Sequence, residues 1–206
     1  MPKHHMIISG TGRAGTTFLV QLLTELGLDT GFKKGKSVDP TSHAGMELDI
    51  RDPNAPYVIK SPWLCDYLDE VLQNGDIVVD QAIVPMRDLF SAAQSRREVT
   101  RKAQSGNSEV PGGLWHTKNP EDQETILVTQ LYKLFFALAK HDVPLVLLLF
   151  PRLVKDPRYL YQKIRFLLGD IRYDTFLVAF QNISRPELVH DFAREKGTSD
   201  DVNTLE

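Results

Sequence analysis

Short apolar runs alternate with amphipathic stretches along most of the chain. Residues 5–9 (HMIIS) read as a short strand that runs into a glycine turn. Residues 15–27 follow with apolar positions at 18, 19, 22, 23 and 26, a helical stripe that Gly27 ends. YVIK (57–60) reads as a second strand, and Pro62 opens a helix to about residue 73, since proline is tolerated in a first turn. A third strand lies within IVVDQAIVPMR (77–87), with a helix from 88 to about 104 behind it. A long helix is expected over 120–141, its stripe of Ile126, Leu127, Leu131, Leu134, Phe135 and Leu138 turned to the core. The apolar run 143–150, with Pro144 and Pro151 at its ends, reads as a buried strand and is far too short to span a membrane. A helix over 157–168 ends at Gly169, and the rest is expected to be mostly helical with a frayed acidic tail over 198–206. Residues 28–56 and 105–118 carry the Gly, Pro and polar clusters of loops.

Strands that alternate with helices predict an α/β domain: three α/β/α layers around a central parallel sheet, P-loop NTPase-like, formed by residues 1–206 as one unit. In such sheets ligands sit beyond the carboxyl ends of the strands. Gly10–Thr17, Lys60 and Arg87 each follow directly on a predicted strand, so the topology would bring three distant segments to one edge.

Charge sharpens this picture only locally. With 24 Lys and Arg against 27 Asp and Glu the net charge is −3, which does not suggest non-specific nucleic-acid binding. From Met86 to Lys118, however, six bases face three acids, a balance that suits an anionic ligand. Cys65 is the single cysteine, so an intramolecular disulfide and a thiolate zinc site are both excluded. The stretch MPKHHMIIS is too short and polar for a signal peptide, and a cytoplasmic enzyme is expected.

The glycine turn, IISGTGRAGTTFL (7–19), carries the chemistry. A strand, a glycine turn and a helix start together make an anion site, because loop amides and the helix dipole both point at the ligand. Gly10, Gly12 and Gly15 spell a dinucleotide-binding pattern, but Asp29, at the distance of its acidic partner, follows no apolar strand. Read as the phosphate loop of a kinase, the segment has Thr16 where the lysine belongs, with Asp80 as a candidate magnesium carboxylate.

The stretch GTGRAGTTFL resembles the 5′-phosphosulfate loop of sulfotransferases that use 3′-phosphoadenosine-5′-phosphosulfate (PAPS), with Arg13 at the position of the family's cation. VPMRDLFSAAQS is similar to that family's 3′-phosphate motif, an Arg at a strand end and a Ser eight residues on, here Arg87 and Ser95. YVIKSPWL resembles the K-[ST]-P segment of carbohydrate-type members, which sets Lys60 near the transferring group. LLLFPRLVKDPRYLYQKIRFLLG resembles the family's strand, turn and helix, although Pro151-Arg152 stands where an acidic residue is usual. PGGLW (111–115) sits where the family has a flexible loop near the adenosine.

The resemblance implies sulfuryl transfer from PAPS to an acceptor hydroxyl or amine by metal-independent in-line displacement, with 3′,5′-adenosine diphosphate as product and a small-molecule or glycan acceptor. Gly12, Arg13, Ala14, Gly15, Thr16, Thr17, Arg87 and Ser95 would bind the donor, and Arg13 and Lys60 would stabilise the leaving oxygen. The base is expected in TSHAGMELD as Glu47, with His43 next and His116 a weaker third. Trp63, Trp115 and Phe32 are candidates to line an acceptor pocket, while His4 and His5 are expected at the surface. A kinase with a degenerate loop and a catalytically silent nucleotide-binding module are the competing readings.

Overall fold

The computed structural model describes residues 1–39, 42–103, 111–190 and 192. Four strands, β1 (Lys3–Ile8), β2 (Val58–Lys60), β3 (Ile77–Met86) and β4 (Leu145–Leu149), form one parallel sheet in the order β2-β1-β3-β4. The helices are α1 (Thr16–Glu25), α2 (Leu64–Gln73), α3 (Leu89–Lys102), α4 (Gln123–Lys140), α5 (Arg152–Lys155), α6 (Pro157–Lys163) and α7 (Tyr173–Ile183).

Alternation along the strands divides the core in two. Met6, Ile8, Val58, Ile83 and Leu148 pack against α1, α6 and α7 on one face. Ile7, Ile59, Ala82 and Val84 pack against α2 and α4 on the other. The expected three-layer α/β/α architecture is therefore present. Strand β3 keeps both faces apolar only by an irregularity: its pairing with β1 shifts between Val79 and Gln81, leaving Asp80 as an extra residue. Val79 and Ala82 consequently face the same core although three positions apart. No helix among the described residues is long and apolar enough to cross a membrane.

Several elements differ from expectation. β4 was expected to be buried, yet Leu145, Leu147 and Leu149 are 40%, 44% and 55% exposed. The strand order puts β4 at the sheet edge, and its register sets these leucines beside Ala82, Val84 and Met86, on the α2/α4 face. Apolar composition cannot separate such an edge strand from a central one. Helix α4 is preceded by a 3-10 turn at Pro120–Asp122, where the Asn119 side chain accepts from the Glu121 amide. In its stripe Leu127, Leu134 and Leu138 are buried, whereas Ile126, Leu131 and Phe135 are half-buried. The single helix expected over 157–168 is α6 plus a 3-10 turn at Arg165–Leu167, and α5 precedes it unforeseen. Asp156 explains the break, because its carboxylate accepts from the Tyr159 amide at 2.9 Å and caps a new helix. The chain after 169 is helical in α7 and in a 3-10 turn at Pro186–Leu188, and the tail expected at 198–206 lies outside the described residues. His5 was expected at the surface but is 2% exposed, its Nδ1 at 2.8 Å from the Pro56 carbonyl.

Candidate functional site

Strand β1 ends in the glycine turn, and Gly10, Gly12 and Gly15 all have positive φ, a region that L side chains rarely adopt. Gly15 is the N-cap of α1 at φ 84°, and a Cβ there would lie 3.0 Å from Leu153 Cδ1 and 3.2 Å from Phe150 Cδ2. The absent side chain lets α5 and the end of β4 pack onto the loop.

The turn opens into a cavity of about 480 Å³ at the carboxyl ends of the strands. Its wall includes Gly12, Arg13, Gly15, Thr16 and Thr17 from the loop, His43 and Glu47 from the 28–56 loop, and Lys60 from the end of β2. Arg87 and Ser95, one before α3 and one on it, complete the residues expected from sequence. Ala14 is fully buried and is not on this wall. Trp115 lines the cavity, and Trp63 stacks on it at 5.9 Å and 28° without reaching the wall. Phe32 packs against the α1/α7 core instead. His116 is 3.3 Å from Asp66 and also lies off the wall.

Two constellations line this space. In the first, Lys60 is 4% exposed and its ammonium donates to Thr17 Oγ1 at 2.8 Å, the Gly45 carbonyl at 2.6 Å and Glu47 Oε1 at 2.7 Å. Burial holds the Lys60 pKa below its ordinary value; Glu47 opposes that shift and Arg13 adds to it. The second gathers three guanidiniums. Arg13 Nε donates to Ser95 Oγ at 3.0 Å, and its Nη1 donates to the Ser42 carbonyl. Arg87 Nη1 donates to the Arg13 carbonyl at 2.8 Å, and its guanidinium carbon lies 4.9 Å from the centre of the Phe150 ring. Arg96 is 3% exposed and gives all its hydrogen bonds among the described residues to the carbonyls of Thr11 and Gly113. Burial foremost, then the neighbouring cation, pushes Arg13 and Arg96 down to about 10 and about 9. Cations so crowded favour an anion in the cavity.

Arg96 is the cavity-lining cation that sequence reasoning missed. It stands in RRE beside Arg97, and only the rotation of α3 against the loop separates the buried guanidinium from the neighbour that bonds the Pro120 carbonyl. Also unforeseen was the segment around Asn182–Val189, which contributes Asn182, Ile183, Arg185, Leu188 and Val189 to the wall.

Asp80, the carboxylate offered for magnesium, lies within the amino-terminal half of β3, beside His5 and Met6 of β1 and away from the strand end that meets the loop. It pairs with His4 Nδ1 at 2.7 Å and accepts from the Tyr57 hydroxyl at 3.2 Å.

No protein-family model matches the chain, and a search of curated proteins finds no match. Among solved structures the chain is similar to the sulfotransferase domain from the Synechococcus PCC 7002 olefin synthase. The two are 16% identical over 90% of this chain and 82% of that chain, with a TM-score of 0.49.

Proposed function

We propose that the chain transfers a sulfuryl group from PAPS to a hydroxyl of a small-molecule or glycan acceptor. The observation that supports this reading is the convergence, on one cavity, of the glycine loop, three guanidiniums and a lysine–glutamate pair. A donor with two separated anionic groups matches two clusters. The clusters meet at Arg13: Gly12, Arg13 and Gly15–Thr17 with Lys60 would hold the 5′-phosphosulfate, and Arg87 with Ser95, both hydrogen-bonded to Arg13, the 3′-phosphate. The apolar side chains on the wall, Phe18, Phe150, Leu188 and Val189, suit a nucleoside base. A volume of about 480 Å³ is within the usual range of cofactor sites.

When bound, PAPS supplies the sulfuryl group and leaves as 3′,5′-adenosine diphosphate. The chain's own part is positioning, charge and one proton. Lys60 keeps a desolvated positive charge beside Thr17, where it stabilises developing negative charge; removing one such group costs on the order of 10²–10³ in rate. Glu47 accepts from Lys60 through Oε1, and Oε2 takes the proton of the acceptor hydroxyl. His43, on the same wall, is the second candidate for that proton. Arg13, the loop amides and Lys60 provide the neutralisation that magnesium gives a kinase, so this reading needs no metal. The position of Asp80 weighs against the kinase alternative.

Thermal melting separates the readings. Strong stabilisation by 3′,5′-adenosine diphosphate without magnesium, with transfer of radiolabelled sulfate from PAPS to a panel of saccharides and phenols, is the expected result. A preference for ATP with magnesium would overturn it. Nucleotide binding without transfer to any acceptor would leave a silent binding module.

A further inference from the structure

A loop that receives an anion has to present its N–H groups and turn its carbonyl oxygens away. In a trans peptide the carbonyl and the following N–H point in opposite directions, so whatever holds one aims the other. Arg96 donates from Nε and Nη2 to the Thr11 carbonyl at 3.2 and 2.6 Å. That carbonyl shares a peptide with the amide of Gly12, which lines the cavity. Gly12 has φ 68°, so on its carboxyl side this peptide has no side chain to resist a flip. The guanidinium is pressed directly behind it, and a Cβ on Gly12 would lie 2.5 Å from Arg96 Nη2. The remaining Nη1 donates to the Gly113 carbonyl at 2.7 Å, and the guanidinium carbon lies 5.2 Å from the centre of the Trp115 ring. One buried cation thus joins the glycine loop to segment 111–115, whose Gly112 and Trp115 are also on the cavity wall.

We propose that Arg96 is a positioning residue of the donor site: it locks the 11–12 peptide with the Gly12 amide toward the anion and fastens segment 111–115 to the loop. The inference rests on the reading of the cavity as an anion site. A buried guanidinium bonded only to carbonyls among the described residues adds little to the empty protein, because its desolvation offsets its hydrogen bonds. Its contribution is realised when an anion arrives.

The test compares Arg96→Gln and Arg96→Lys with the unchanged chain. Pyrophosphate probes the loop alone and 3′,5′-adenosine diphosphate probes the whole donor site, each by melting and by calorimetric titration. Expected are apo melting points within a few degrees of the parent. For both probes the ligand-induced shift largely disappears in Arg96→Gln, with at least tenfold weaker binding, and Arg96→Lys is intermediate because an ammonium reaches one carbonyl but not both. Should Arg96→Gln not fold, Arg96→Lys decides by the same criteria. A lowered apo melting point with an intact ligand-induced shift would mean a merely structural role and overturn the proposal, as would affinities within twofold of the parent. If pyrophosphate binding depends on Arg96 while the nucleotide does not bind at all, the proposal stands and the PAPS reading fails. If the parent binds neither probe, both fail.

Discussion

Replacing Glu47 by Gln removes one charge and leaves the side-chain shape intact. At 2.7 Å and an effective dielectric of 20, the attraction to Lys60 is about 6 kcal/mol before solvation is counted. Glu47 is 23% exposed, so water offsets much of that, and the amide oxygen still accepts from the ammonium. A net loss of about 1–2 kcal/mol follows, or roughly 2–8 °C in melting temperature for a chain of this size. Donor affinity moves the other way, because the Lys60 charge is no longer matched within the protein and is free to pair with an anion. Turnover falls by about 10²–10⁴, the usual contribution of a positioned base. The assays are melting with and without 3′,5′-adenosine diphosphate, and transfer of radiolabelled sulfate at saturating PAPS. Turnover within about threefold of the parent would refute the assignment and pass the role to His43. A tenfold loss of donor affinity would refute the electrostatic argument, since it would show that the carboxylate supports the anion rather than competing with it.

Three further outcomes follow from the same geometry. Arg87→Ala removes the donor to the Arg13 carbonyl together with a cation of the anion site, and calorimetry should find 3′,5′-adenosine diphosphate bound at least tenfold more weakly; unchanged affinity would show that the 3′-phosphate half-site lies elsewhere. Gly15→Ala forces a left-handed backbone on an L residue and drives a methyl to 3.0 Å from Leu153, at about 2–4 kcal/mol in urea unfolding; a loss below about 0.5 kcal/mol would contradict the close packing. Lys60, lowered from 10.5 mainly by burial, loses its proton at a lower pH in the folded protein than in the unfolded chain. Activity that needs the ammonium is therefore full below the lowered value and falls as pH rises through it. Between that value and 10.5 the unfolded chain binds more protons, so this group raises stability with pH. An alkaline limb of kcat/KM left in place by Lys60→Arg would assign it to another group.

Much of the scaffold was legible because its signals are local. The strand–glycine turn–helix at residues 5–27, its stop at Gly27 and the helix expected from 88 depend on neighbours a few residues apart, and they reappear in β1, α1 and α3. Arg13, Lys60 and Arg87 could be grouped because a parallel sheet brings its strand ends to one edge; Ser95 was added only by the resemblance of VPMRDLFSAAQS to a 3′-phosphate motif, and all four line the cavity. The exposure of Leu145, Leu147 and Leu149 could not be read, since strand order rather than composition decides whether an apolar strand is covered. The burial of His5 had the same origin, since it lies in β1, a central strand of the sheet.

From the sequence alone came the residue types of an anion site and the order in which they follow strands, because glycine turns, helix starts and apolar periods are short-range properties of the chain. Only the tertiary structure decided which cations meet and what they hold. Arg96 and Arg97 are equivalent in sequence, yet packing of α3 against the loop buries one guanidinium behind Thr11 and leaves the other on the Pro120 carbonyl. That choice turns on a rotation about a helix axis, which contacts between distant segments determine.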